Sequence, residues 1–220
     1  MRIVAAKKLL KANDQLAAEL RQRFLRSGVF CVNVVGSPGA GKTTMIEGLL
    51  RQLGPAVRPA VIEGDIAGSI DADRLDQQGV PVVQINTEGA CHLDAGMIGA
   101  ALEQLDLEAI DLLLMENVGN LVCTAGFDLG EQLRVVVLST VEGDDKAVKY
   151  PAIFQGAQAL LITKADLMGH TNFDRQRIAA DYRRLAPEGE VFEIAALNGE
   201  GLPELAAWLS EQATRGAAPS

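Results

Sequence analysis

Residues 34–44 read VVGSPGAGKTT, and no other stretch of the chain restricts its fold so tightly. A β-branched apolar run meets three glycines and a proline, followed at once by a lysine and two threonines. Glycine loses more backbone freedom on folding than any other residue, so such a loop is costly unless its N–H groups must converge on a ligand. Gly36, Gly41, Lys42 and Thr43 match G-x-x-x-x-G-K-[ST], with an apolar strand candidate before and a helix candidate after. The backbone of Gly36, Ser37, Pro38, Gly39, Ala40, Gly41, Lys42, Thr43 and Thr44 is then expected to cradle a polyphosphate at a helix N-terminus. Lys42 would reach the β- and γ-phosphates, and the Thr43 hydroxyl would ligate Mg²⁺. The implied ligand is a nucleoside triphosphate.

Apolar runs at 28–35, 60–65, 81–86, 111–117, 133–140, 159–166 and 190–196 read as strands. Helical patterns lie around 42–53, 94–106, 144–157, 172–185 and 201–213. Residues 4–24 form an amphipathic helix candidate with Leu9, Leu10, Leu16, Leu20 and Phe24 at its apolar positions. Strands separated by helices imply parallel pairing with right-handed crossovers. A three-layer α/β domain over residues 1–213 follows, with 214–220 as a disordered tail. At 48% hydrophobic and 4% aromatic, its core must be aliphatic, as both-faces-buried parallel strands require.

The formal net charge of −9 argues against a nucleic-acid backbone as partner. The longest uncharged stretch, Ser27–Gly41, is 15 residues broken by glycines, too short to cross a bilayer. The N-terminus carries four cations in eleven residues and no apolar core, unlike a secretory signal. Three cysteines do not make a disulfide framework in a chain this size, and a cytoplasmic protein is expected.

A magnesium-dependent site needs carboxylates at strand ends. Asp65, closing VIEGD, and Glu116, closing DLLLMEN, are the candidates, although either also fits a helix cap or a solvated turn. Gly119, three residues beyond Glu116, is placed to present its N–H to the γ-phosphate. Asp65 is expected to act with Lys42 in hydrolysis, with Asp71 and Asp73 as further carboxylates. For the base, Lys164 and Asp166 in LLITKAD resemble the N-K-x-D signature of GTPases, with Thr163 in place of asparagine. A carboxylate there accepts from guanine N1–H and N2–H₂ and repels the N1 acceptor of adenine. EIAALNGEG resembles the later S-A-K loop, with Ala195 and Leu197 replacing serine and lysine and the Ala196 N–H facing the guanine carbonyl.

Cys31, inside an apolar strand, reads as a core residue. Cys91 and His92 stand together in NTEGACHLDAG, and Cys123 lies four residues past Gly119. Two thiols and an imidazole suit Zn²⁺ or Ni²⁺, with a fourth ligand from water or a second subunit. The cysteines are 32 positions apart, and spacing alone fits two unrelated buried thiols equally well. His170 reads as a loop residue.

The segments SPGAGKTT, EGDIAGSIDADRL, INTEGACHLDA, DLLLMENVGNLVC, FDLGEQLRVVVLSTVEGDDKAVKYP and LLITKADL together resemble the hydrogenase nickel-incorporation GTPase family, relatives of the urease-accessory GTPase. The resemblance runs from about residue 9 to 213. It implies a SIMIBI-type P-loop GTPase that converts GTP to GDP and phosphate; because no glutamine follows Gly119 to orient water, turnover is expected to be slow and switch-like. It also implies a GTP-favoured homodimer with Cys91, His92 and Cys123 holding Ni²⁺ or Zn²⁺ at the interface. A nickel-delivery partner and the large subunit of a [NiFe]-hydrogenase are the implied associates. The family's cysteine motif or histidine-rich stretch is not found, so storage of several nickel ions is not expected. Lys146 or Lys149 either reaches the partner's phosphates or lies on a solvated helix face. Rival readings are a GTPase chaperone for urease or a cobalamin-dependent mutase, a non-catalytic nucleotide- or metal-binding module, and an ATPase.

Overall fold

The apolar run after Gly28 forms β1 (Phe30–Gly36), buried at every position, and the whole architecture is arranged about it. In the computed structural model, which describes residues 4–66, 68 and 70–216, six further strands follow. They are β2 (Pro59–Asp65), β3 (Val82–Asn86), β4 (Leu112–Glu116), β5 (Leu133–Ser139), β6 (Ala159–Thr163) and β7 (Glu190–Ile194). All neighbours pair in parallel, in the order β3-β2-β4-β1-β5-β6-β7, so each expected strand is present. The helices are α1 (Val4–Ser27), α2 (Lys42–Leu50), α3 (Ile70–Asp76), α4 (Ala95–Ala101), α5 (Lys146–Lys149), α6 (Pro151–Gln155), α7 (Arg175–Leu185) and α8 (Leu202–Gly216).

Side-chain alternation divides the core between the two faces of the sheet. Val32 and Val34 of β1 point to one face, where Met45, Ile46 and Leu49 of α2 and Leu205 and Leu209 of α8 cover them. Cys31 points to the other face and is fully buried with Phe24 of α1 and Ile98 of α4, as expected for a core thiol. Val35 joins Phe154 of α6 and Ile178 and Tyr182 of α7 further along that sheet. Three layers result, the arrangement that parallel strands buried on both faces demand.

The inner stripe of α1 is Asn13, Ala17, Leu20 and Phe24, spaced four, three and four residues apart. Leu10 and Leu16 lie on its exposed side. Asn13 locks the helix in place: its Nδ2 donates to Asp128 O (2.9 Å), and its Oδ1 accepts from Ala95 N (2.9 Å) at the start of α4. Cutting the fully buried Phe24 to alanine would cost about 3–5 kcal/mol, enough to loosen the helix from the sheet.

Two helical expectations are corrected. The single helix over 144–157 is two short ones, because Tyr150 leaves helical geometry (φ −130°, ψ 56°) and Pro151 starts α6 at the only position a proline tolerates well. The segment AGSIDADRL, where no helix is expected from the sequence, contains α3. The last helix runs to Gly216, three residues into the stretch expected as a tail, and 217–220 lie outside the described residues. Among the described residues, no helix is long and apolar enough to cross a membrane.

Candidate functional site

The phosphate loop joins the end of β1 to the start of α2, at the C-terminal edge of the sheet where ligands of open parallel sheets bind. Gly41, immediately before α2, sits at φ 89°, a left-handed conformation that a side chain would strain. It turns the loop into the first turn of α2, whose residues 42–44, with amides that have no partner inside the helix, border the cavity. Lys42 is 7% exposed, and its Nζ donates to Ser37 O across the loop (3.3 Å), curled over the space where a phosphate would sit. A cavity of about 420 Å³ opens above, lined by loop residues 38–39 and 41–44 together with carboxylates from two strands.

Those carboxylates are Asp65, Glu116 and one that sequence reasoning passed over, Glu63. Glu63 and Glu116 are Cα partners across β2 and β4, 3% and 4% exposed. The Thr43 hydroxyl donates to Glu116 Oε1 at 2.9 Å. Glu116 Oε2 and Glu63 Oε2 are buried with no hydrogen-bond partner. Burial, the largest cause, pushes Glu63 up to about 8, reinforced by the charges of Glu116, Asp65 and Asp71. Burial likewise pushes Glu116 up to about 7, opposed by Lys42 and the Thr43 hydrogen bond. Two adjacent buried carboxylates, neither of them in an ion pair, beside a threonine hydroxyl, are the all-oxygen donor set that suits a hard divalent cation such as Mg²⁺. Asp65 behaves differently: its oxygens accept from Ile66 N (2.7 Å) and Gly68 N (3.0 Å), so it also closes the turn toward α3. Asp71 and Arg74 of α3 line the same cavity, whereas Asp73 does not. Arg74 is held by Glu47, Asp71 and the Thr44 hydroxyl.

A second cavity of about 170 Å³ adjoins the loop, lined in part by Gly41, Thr44, Lys164, Asp166 and Ala196. Thr163 is 2% exposed, and its hydroxyl donates to Ala40 O at 2.5 Å. Lys164 Nζ donates to Gly39 O at 2.9 Å. The residue that stands where asparagine was expected therefore fastens the base-side loop to the phosphate loop. Lys164 is itself in the left-handed region (φ 55°), held by Thr140 Oγ1, which donates to its carbonyl (2.8 Å). Ala196 lies within a tight turn closed by Ala195 N, which donates to Glu200 O (3.1 Å).

Cys91 and Cys123 come together. A hydrogen bond with Cys91 is the first cause raising the Cys123 thiol above its usual range, and both residues are partly exposed. His92 Nδ1 is 3.8 Å from Cys91 Sγ, and its ring stacks on Phe127 with centroids 3.7 Å apart. Burial lowers the imidazole below its ordinary value, against the pull of Asp94. Within one chain, no group of three or more His, Cys, Asp or Glu among the described residues closes into a metal-holding cluster.

The segment after β4 connects the two sites. Gly119 is packed so closely on Pro38 that a Cβ would lie 2.8 Å from the Pro38 Cα and N. Asn120 N donates to Gly36 O (3.0 Å), and Asn120 Oδ1 accepts from Cys123 N (2.9 Å). Asn117, 1% exposed, accepts from Leu93 N (3.0 Å), next to His92, and donates to Asn33 (3.3 Å). Asn33 donates to Glu131 (3.1 Å), and Arg134 binds Glu131 and the Phe127 carbonyl (2.9 Å). His170 lies in an exposed 3₁₀ turn. Lys149 pairs with Asp145 (2.5 Å), and Lys146 lies 5.8 Å from the Tyr150 ring centroid.

This phosphate loop, with carboxylates on the neighbouring strand ends and a base-side T-K-A-D loop, defines a P-loop nucleotide-binding domain. The chain belongs to the CobW/HypB/UreG nucleotide-binding family, whose model matches residues 30–193. It is 48% identical over 204 residues to the hydrogenase maturation factor HypB of Azotobacter vinelandii, covering 93% of this chain and 67% of that protein. The crystal structure of HypB from Helicobacter pylori in complex with nickel matches with TM-score 0.89 and 39% identity, over 95% of this chain and 98% of that one. HypB from Archaeoglobus fulgidus matches with TM-score 0.85 and 36% identity, over 92% and 99%.

Proposed function

We propose that this chain is a nickel-binding GTPase that assists nickel insertion during [NiFe]-hydrogenase maturation. The observation that carries the reading is the continuous segment 116–123, in which one end meets the phosphate loop and the other bears a thiol paired with Cys91. Its similarity to hydrogenase maturation factors and to a nickel-bound relative agrees.

In this reading Lys42 and the amides of the loop bind the β- and γ-phosphates and offset charge that develops on the transferred group. Thr43, Glu116 and Asp65 would hold Mg²⁺, which neutralises phosphate charge when bound. Asp65 also orients the attacking water. No glutamine follows Gly119 to assist, so turnover is slow. Asp166 and the Ala196 N–H select guanine, while Thr163 and Lys164 keep the base loop fastened to the phosphate loop. Gly119, against Pro38, reports on the γ-phosphate, and Asn120 passes its position to Cys123.

Nickel is the cargo, with Zn²⁺ as an alternative occupant of the same ligands. Cys91, His92 and Cys123 bind it when two copies meet, since one chain does not close the cluster. GTP favours that dimer, and a nickel-delivery partner and the hydrogenase large subunit complete the cycle. Lys149, paired with Asp145, belongs to a solvated helix face. The protein works in the cytoplasm.

Phosphate release from GTP tests the enzymatic part: wild type is expected to turn over slowly and Lys42→Ala not at all. Release that is absent from wild type, or equal in the two proteins, refutes it. A wild type that binds neither Ni²⁺ nor Zn²⁺ would favour the mutase-type chaperone.

A further inference from the structure

We infer that Glu63 is a further carboxylate of the cation seat, acting with Glu116 to hold the divalent ion that accompanies the nucleotide. This rests on the reading of the cavity as a magnesium–nucleotide site. Glu63 is 3% exposed, lines the phosphate cavity, and has a buried Oε2 with no partner. A glutamate that deep in a protein is almost always paired or ligating, because an isolated charge costs too much to bury. The cations nearby are committed elsewhere: Lys42 to Ser37 O, and Arg74 to Glu47, Asp71 and Thr44. What faces Glu63 is another carboxylate, Glu116, its partner in strand register, whose own Oε2 is also unpaired.

A purely structural role does not account for this arrangement, since Glu63 Oε2 supports nothing in the fold and an apolar side chain would bury at lower cost. A divalent cation resolves it: one ion between the two carboxylates compensates both buried oxygens. Asp65, two residues on and therefore on the same face of β2, is engaged with the backbone of the next turn. Glu63 has no such engagement of its Oε2 and is the freer of the two to serve the ion.

The test is Mn²⁺ affinity of the GDP-loaded full chain, read from free Mn²⁺ by electron paramagnetic resonance, with GDP affinity in EDTA measured alongside. Glu63→Gln keeps the shape and removes the charge. It is expected to weaken Mn²⁺ about 10- to 100-fold while leaving cation-free GDP binding within twofold of wild type or tighter. Glu63→Asp, which keeps the carboxylate, should recover part of the loss. Mn²⁺ affinity within twofold of wild type in Glu63→Gln overturns the inference. So does an equal loss of cation-free GDP binding, which would make Glu63 a folding residue. A wild type that retains no GDP overturns the nucleotide reading itself, a result separable from either.

Discussion

Replacing Gly119 with alanine adds one methyl group at the junction of the two sites. Its Cβ would lie 2.8 Å from the Pro38 Cα, 2.8 Å from the Pro38 N and 2.9 Å from the Pro38 Cγ. Two of these are backbone atoms, so no rotamer change relieves them. Ordinary contact begins near 3.4 Å, and the loops must therefore part by about 0.6 Å. Gly119 is not in the left-handed region, so alanine suffers no backbone strain and the clash acts alone. Overpacking of this kind costs about 1–3 kcal/mol. If closing the cradle on a phosphate requires the Gly119–Pro38 contact, the cost falls on the bound state and weakens nucleotide about 5- to 150-fold. Displacement of a fluorescent GDP analogue measures this directly. An affinity within twofold of wild type would mean that the segment does not report on the phosphate loop, and the proposed path would fail at its first contact.

Other outcomes follow from neighbouring contacts. Asn117→Ala strips the partner from the buried Leu93 and Val118 amides, so a stability loss of about 1–3 kcal/mol per amide is expected by urea unfolding, and unchanged stability would contradict the network. Cys91→Ala and Cys123→Ala should each abolish stoichiometric nickel binding in a metal-content assay; retention would remove the thiols from the site. Asp166→Asn should exchange guanine preference for xanthine in nucleotide competition, and no exchange would place the base elsewhere. In EDTA, Glu63 and Glu116 hold protons up to about pH 8 and 7, whereas the unfolded chain releases them near pH 4.5. The folded state then binds more protons across that window, so stability is full at its acid end and is lost as pH rises toward 8. Urea midpoints from pH 5 to 9 should fall accordingly, and a rising profile would contradict the two raised values.

Most of the sheet was legible because parallel strands buried on both faces leave continuous apolar runs bounded by glycine and charge. The phosphate loop was legible because its backbone geometry needs glycines at fixed spacing. What escaped did so for physical reasons. The seven residues of α3 follow Gly68 and Ser69 and alternate aspartates with apolar residues, a pattern that also reads as a solvated loop. Glu63 was overshadowed by Asp65 at the strand end, although strand periodicity of two places both on one face, and that signal could have found it. The 144–157 segment kept helical spacing through Tyr150–Pro151, where proline dictates a break. Asn33 was also readable in principle: a polar side chain in a buried central strand must find partners, and it accepts from Asn117, just past the end of β4. The closeness of Cys91 to Cys123 could not be read from a separation of 32 positions, because it depends on where the loops after β3 and β4 emerge.

The central claim is that nucleotide at the phosphate loop alters the thiol–imidazole ligands through residues 116–123. A competition titration of nickel against a chromophoric chelator, with the protein saturated in turn by GDP and by a non-hydrolysable GTP analogue, tests it most directly. Different nickel affinities in the two states are expected, with the difference narrowed in Asn117→Ala. Identical affinities in the two states of the wild-type protein would contradict the account.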